Sequence, residues 1–159
     1  MLLASLRARG IVVAVRTSSP KVTYKKTVSD VSLKLLLVNV AEIVGADLVV
    51  HSGDRTHTPK GGAKKSLHKH SRAADLHAVG VSDAVVFERL RANKTKLEQC
   101  SSISRFQVLR HGPYTATEAA HIHIGDFHLI RAEVKGTGVE FWTEGLTPQT
   151  KGKYSRVQD

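Results

Sequence analysis

His121-Ile122-His123 has the spacing of a site, because alternate residues of a strand point to one face with Cα atoms about 6.5 to 7 Å apart. Two imidazoles so placed can address one small centre, one binding a metal while the other takes or gives a proton. Ile122 and Ile124 would then face the core on the opposite side. Upstream, Ser66-Leu67-His68-Lys69-His70-Ser71-Arg72-Ala73-Ala74-Asp75 offers a further imidazole and a carboxylate seven residues apart. In one straight helix that separation is about 10.5 Å, too far for bonds of about 2 Å to a shared zinc. A turn between His68 and Asp75 is therefore required if both reach one ion. Cys100 is the only cysteine, so it forms no disulfide within the chain, and any metal must be held by histidine and carboxylate.

The elements that must carry these residues can be read from the pattern. Residues 2–15 read as a short strand or an irregular arm ending at the Ser18-Ser19-Pro20 breaker. Ser29 and Asp30 are capping types, and Val31, Leu35, Val38 and Ile43 recur at helical spacing before Gly45, which predicts a helix. Residues 46–50 predict a buried strand that delivers His51-Ser52-Gly53-Asp54-Arg55 and a Gly- and Lys-rich loop. Residues 73–79 predict another strand, and Ser82 or Asp83 caps a helix to about Ala92. Strands are expected around residues 119–124, 129–134 and 139–142, the last two joined by a turn at Lys135-Gly136-Thr137-Gly138. The expected fold is a small single α+β domain over residues 1–146, with a mainly antiparallel sheet packed on two or more helices. Residues 147–159 are expected as a polar, mobile tail.

The chain has 159 residues with 24 Lys plus Arg against 14 Asp plus Glu, a formal charge of +10. A large multidomain enzyme is not expected at this length, and the charge favours a polyanionic partner, either nucleic acid or an anionic cell envelope. Aromatic residues are only 5% and scattered, which argues against a stacking platform for single-stranded nucleic acid. The Lys60-Gly61-Gly62-Ala63-Lys64-Lys65-Ser66 loop misses the phosphate-loop spacing. The longest apolar run, Leu35 to Val38, is far below the length of a spanning helix, so no transmembrane segment is expected. Residues 11–15 make a poor signal-peptide core, and export by a signal of the chain's own is not expected.

Taken together, Ser52-Gly53-Asp54-Arg55, then Ser66, His68, Ala73 and Asp75 in register, then Glu118, His121 and His123 resemble a known family. They are similar to the signatures of the zinc D-Ala-D-Ala carboxypeptidases and L-alanyl-D-glutamate endopeptidases, which cleave peptidoglycan stem peptides and include bacteriophage endolysins. The Hedgehog signalling domain carries a similar zinc site. The resemblance implies Zn2+ held by His68, Asp75 and a third histidine, with water in the open fourth position. It implies that Arg55 binds the substrate carboxylate or polarises the scissile carbonyl. Two local patterns fit the third motif: Glu118 as base with His121 as ligand, or His121 as base with His123 as ligand. Strand geometry favours the second, leaving Glu118 as a neighbouring acid or alternative base. Ser71 stands where the family has glycine. If the position needs φ > 0, the serine costs about 1 kcal/mol there. The implied partners are peptidoglycan peptides and anionic wall polymers, with nucleic acid as the alternative. The implied setting is synthesis in the cytoplasm and action at the bacterial wall, as a phage lysis or virion protein.

Overall fold

The computed structural model describes residues 18–57, 66–117, 119–126 and 137–158. The expected arm at 2–15, Glu118, and the strand at 129–134 with the first half of its turn lie outside these residues. What is described is an α+β domain: one seven-stranded sheet with three helices packed on one of its faces. The strands are β1 (Val22–Tyr24), β2 (Leu48–Ser52), β3 (Ala73–Ala78), β4 (Arg105–His111), β5 (His121–Asp126), β6 (Gly138–Glu144) and β7 (Ser155–Arg156). Their order across the sheet is β1-β2-β3-β5-β4-β6-β7. The β1–β2 and β4–β6 pairs are parallel, and the other four are antiparallel. No helix among the described residues is long and apolar enough to cross a membrane.

Helix α1 (Val31–Val44) begins where Asp30 accepts a hydrogen bond from Leu33 N at 2.7 Å, and ends at Gly45, whose φ of 70° lets its N–H reach Ala41 O. Its buried face is Leu33, Leu36, Leu37, Val40, Ala41 and Val44. The expected apolar stripe of Val31, Leu35 and Val38 is instead exposed. The helix is apolar on two faces, so spacing alone does not select the face, and packing against the sheet does. Helix α2 (Asp83–Ala92) is capped by Ser82 and buries Val86, Phe87 and Leu90. Helix α3 (Lys94–Gln99) follows almost at once and contributes Leu97 to the core.

Alternation along the central strands divides the sheet into two chemically different faces. Leu48 and Val50 of β2, Ala74, Leu76 and Ala78 of β3, Phe106 and Val108 of β4, Ile122 and Ile124 of β5, and Val139 and Phe141 of β6 join the core under the helices. Phe87 meets Phe141 edge to face, with centroids 5.7 Å apart. The residues between them, including Asp75, His111, His121, His123 and Glu144, therefore emerge on the other face. From Thr147 the chain makes a 3-10 turn at Pro148–Thr150 and then β7, which pairs with Trp142 and Thr143 of β6.

Candidate metal centre

His68 lies on a 3-10 turn, Leu67–His70, that leads into β3. The turn closes at Ser71, whose φ of 57° makes it the only non-glycine residue with positive φ among those described. Ser71 N–H returns to His68 O, and Arg72 N–H to Leu67 O. This reversal is the turn the spacing required, and it brings His68 Nε2 within 3.0 Å of Asp75 Oδ1. Asp75 on β3 sits directly opposite His123 on β5, whose Nδ1 is 2.8 Å from the same oxygen. His121, one alternation earlier on β5, brings its Nε2 to 3.4 Å from that oxygen.

Three imidazoles thus surround one carboxylate oxygen, and their tautomers can be worked out. His68 Nδ1 is 2.7 Å from the Gly53 carbonyl, and His121 Nδ1 is 2.7 Å from the Ala119 carbonyl. A carbonyl only accepts, so both Nδ1 atoms carry the proton, and in the neutral rings both Nε2 atoms are bare lone pairs facing Asp75 Oδ1. Acceptor facing acceptor at these distances calls for a cation between them. His68, Asp75 and His123, all buried, form the group whose ligand atoms lie within 4.8 Å of one another. Tetrahedral zinc bonds of about 2.0 to 2.1 Å place ligand atoms about 3.3 Å apart, so an opening of a few tenths of an ångström accommodates the ion. Nitrogen, oxygen and nitrogen donors backed by a carbonyl on His68 are the chemistry such an ion takes.

The charge balance agrees with this geometry. Burial raises the Asp75 carboxyl, but the close imidazoles of His121, His123 and His68, which favour its charged form, outweigh burial and hold the group well below the usual carboxylate range. Burial pushes the His123 imidazole down to about 4. Burial also acts to lower His121, yet its hydrogen bond and charge attraction to Asp75 prevail and raise it. Without a metal, the extra proton of this cluster therefore rests on His121 in preference to His123.

Arg55 places Nη2 2.9 Å from Asp75 Oδ2 and also donates to Ser52 Oγ. The guanidinium therefore grips the Asp75 oxygen that faces away from the imidazoles, while the Arg55 backbone N–H reaches His68 O at 3.0 Å. Gly53 supplies the carbonyl that orients His68. A Cβ there would stand 2.8 Å from the Thr27 carbonyl carbon and collide with its oxygen. The Ser-Gly-x-Arg motif was the signal for it. Gly125 has a similar constraint, since a Cβ would meet Leu67 Cδ1 at 2.5 Å and His123 Nε2 at 2.9 Å.

The other histidines fall into two groups. His70 and His57 are exposed. His77 binds Asp83 at 2.8 Å and stacks on His51, which comes edge-on to His121 with centroids 6.0 Å apart. His51 therefore belongs to the end of β2 beside the centre rather than to a loop. His111 on β4 stacks on His121 with centroids 4.4 Å apart and binds Glu144 at 2.8 Å. Neither of these last two residues belongs to a recognisable motif.

A buried carboxylate, two converging imidazoles and a third imidazole alongside form a candidate metal site on the sheet face opposite the helices. The family model described as Peptidase M15 matches residues 5–124, and the chain belongs to that family. Members are metal-dependent hydrolases, usually with zinc, that act on peptidoglycan peptides. No curated protein and no solved structure gives a significant match.

Proposed function

We propose that this protein is a zinc metallopeptidase that hydrolyses an amide bond of the peptidoglycan stem peptide, of the D-Ala-D-Ala carboxypeptidase or L-Ala-D-Glu endopeptidase type. The observation that carries the reading is the convergence of His68 Nε2, Asp75 Oδ1 and His123 Nδ1, with His121 Nε2 at the same carboxylate oxygen. In this reading His68, Asp75 and His123 hold the zinc. When bound, zinc supplies a Lewis acid that acidifies water and polarises a carbonyl.

The chain's own groups supply the rest. His121 Nε2 is the base that takes a proton from the attacking water and returns it to the leaving amine, which balances the hydrolysis. Its Nδ1 stays committed to the Ala119 carbonyl, so one nitrogen performs both transfers. Arg55 fixes the orientation of Asp75 and, being partly exposed, also offers N–H donors to a substrate carboxylate or developing oxyanion. Glu118 is the alternative base. The +10 charge concentrates the protein on anionic wall polymers. The likeness of the three motifs to endolysin motifs supports a phage-lysin role.

The test is digestion of purified peptidoglycan by the zinc-loaded protein, with fragments identified by mass spectrometry beside a chelated sample and His68→Ala. Expected are fragments that need zinc and vanish in the variant, and their masses name the bond. Zinc bound at one per chain with no fragments would overturn the peptidase reading in favour of a binding role. Nucleic-acid binding without zinc uptake would favour a polyanion binder.

A further inference from the structure

Glu144 ends β6 and is 1% exposed, yet its carboxylate has a full set of partners. Oε2 accepts from His111 Nδ1 and Thr115 Oγ1, and Oε1 accepts from Ala116 N at 3.0 Å and Gly152 N at 2.6 Å. These donors come from β4, from the loop after it and from the turn after β6. Further backbone bonds, Gly112 N to Glu144 O and Tyr114 N to Gly145 O, fasten the same segments together. A buried carboxylate this well satisfied is a fixed post.

His111 is what the post holds. It pairs in register with Glu144 on one side and with His121 on the other. With Nδ1 bound to Glu144 Oε2, the ring cannot turn about its Cβ–Cγ bond without losing a charge-assisted bond. Its face lies on the His121 ring, tilted by 31°, while Tyr154 meets it edge-on with centroids 6.1 Å apart. Among the described residues, His121 has one hydrogen bond of its own to orient it besides its contact with Asp75, the bond to the Ala119 carbonyl two residues away.

We propose that His111, anchored by Glu144, is a positioning residue whose flat ring holds the His121 imidazole with Nε2 toward the metal centre. The proposal rests on the reading of His121 as the base. His111 spends its hydrogen-bonding nitrogen Nδ1 on Glu144 and Thr115 and meets the His123 ring only edge-on, with centroids 6.4 Å apart, so its loss is expected to leave metal uptake intact and to affect the turnover step. A 1 Å misplacement of a catalytic group costs up to about a hundredfold in rate.

The test compares His111→Leu, which fills the space without a flat ring, with His111→Phe, which keeps the ring but not the hydrogen bond. On zinc-loaded protein, His111→Leu is expected to lower kcat by about tenfold or more with KM and zinc stoichiometry unchanged, while His111→Phe, which keeps the flat ring but loses the Glu144 anchor, falls between His111→Leu and the parent. Adding His111→Leu to His121→Ala is expected to cost nothing further, because the two act as one unit. Long-range 1H–15N spectra of the zinc-loaded imidazoles read the same claim without any substrate. His121 shows a single Nδ1-protonated tautomer in the parent and in His111→Phe, and averaged nitrogens in His111→Leu. Equal kcat and an unchanged His121 spectrum in His111→Leu would overturn the proposal. So would loss of zinc from both variants, which would make His111 a structural residue. If the parent cleaves no wall peptide, the peptidase reading fails while the spectra still decide the positioning role.

Discussion

Replacing Gly53 by alanine adds one methyl group, and the structure sets out its consequences. The new Cβ would stand 2.8 Å from the Thr27 carbonyl carbon and 3.0 Å from Val28 Cγ2. Carbon atoms rest about 3.5 to 4.0 Å apart, so strand and loop must separate by about 1 Å. Thr27 O cannot yield freely, because it accepts from Asp54 N at 2.7 Å, one residue beyond the substitution. The motion falls instead on Gly53, whose carbonyl holds His68 Nδ1 at 2.7 Å. A shift of 1 Å breaks that bond and frees the His68 ring. Overpacking costs about 1 to 3 kcal/mol of stability, and the lost orienting bond weakens metal affinity by about 10- to 100-fold. The assay is zinc competition against a chromophoric chelator, with thermal unfolding of the chelated protein alongside. Gly80→Ala is the control: its φ of 71° makes alanine strained, but its Cβ meets open space, so zinc affinity should not move. Gly53→Ala binding zinc as tightly as the parent would refute the argument that this carbonyl positions His68.

Other outcomes follow from the same geometry. Ser71→Gly relieves about 1 to 2 kcal/mol of left-handed strain against about 0.4 to 1 kcal/mol of added freedom in the unfolded chain, so denaturant titration should show a net gain of about 0.5 kcal/mol. Gly125→Ala forces Leu67 and His123 apart and should lower zinc affinity in the same competition assay, with a loss of melting temperature as well. In chelated protein the unfolded chain protonates His123 near its ordinary value while the folded chain waits until about 4. Unfolding therefore takes up protons in that window, and stability falls as pH drops from about 6.5 to 4, by on the order of 3 kcal/mol for this group, as urea titrations at stepped pH would read. Asp75, depressed in the fold, adds a loss of the same sign as pH falls from its ordinary value through its folded one. Loss of stability on raising the pH through this range would contradict both assignments.

Several elements were legible because their signals are local. Asp30 with Gly45, and Ser82 at the start of α2, are chemical caps that act within one turn of chain. Ile122 and Ile124 alternate with His121 and His123, so the two faces of β5 could be read directly. Strand β4 was missed because Leu109 and Arg110 break the alternation that Phe106 and Val108 begin, and α3 because six residues carry too little periodicity. The buried face of α1 was misread because both of its stripes are apolar. The candidate ligands stood out through linked motifs. Gly53 matters through a carbonyl that any residue possesses, which no side-chain search detects. His111 and Glu144 meet only because β4 and β6 run parallel in one register, a non-local fact with no trace in either segment.

The position of β5 has a consequence for how the protein assembles. It lies between β3 and β4 although both precede it in the chain. Until residues 121–126 insert, β3 and β4 each present an unsatisfied ladder, and the pairing of Asp75 with His123 must close a loop of 48 residues. Such long-range closure is slow, and a chain halted before it is prone to stick to its neighbours. A complete cation site exists only once the wedge is driven home. Metal uptake would therefore report the closure of β5 between β3 and β4, and an ion that binds only the finished sheet would draw the equilibrium toward it.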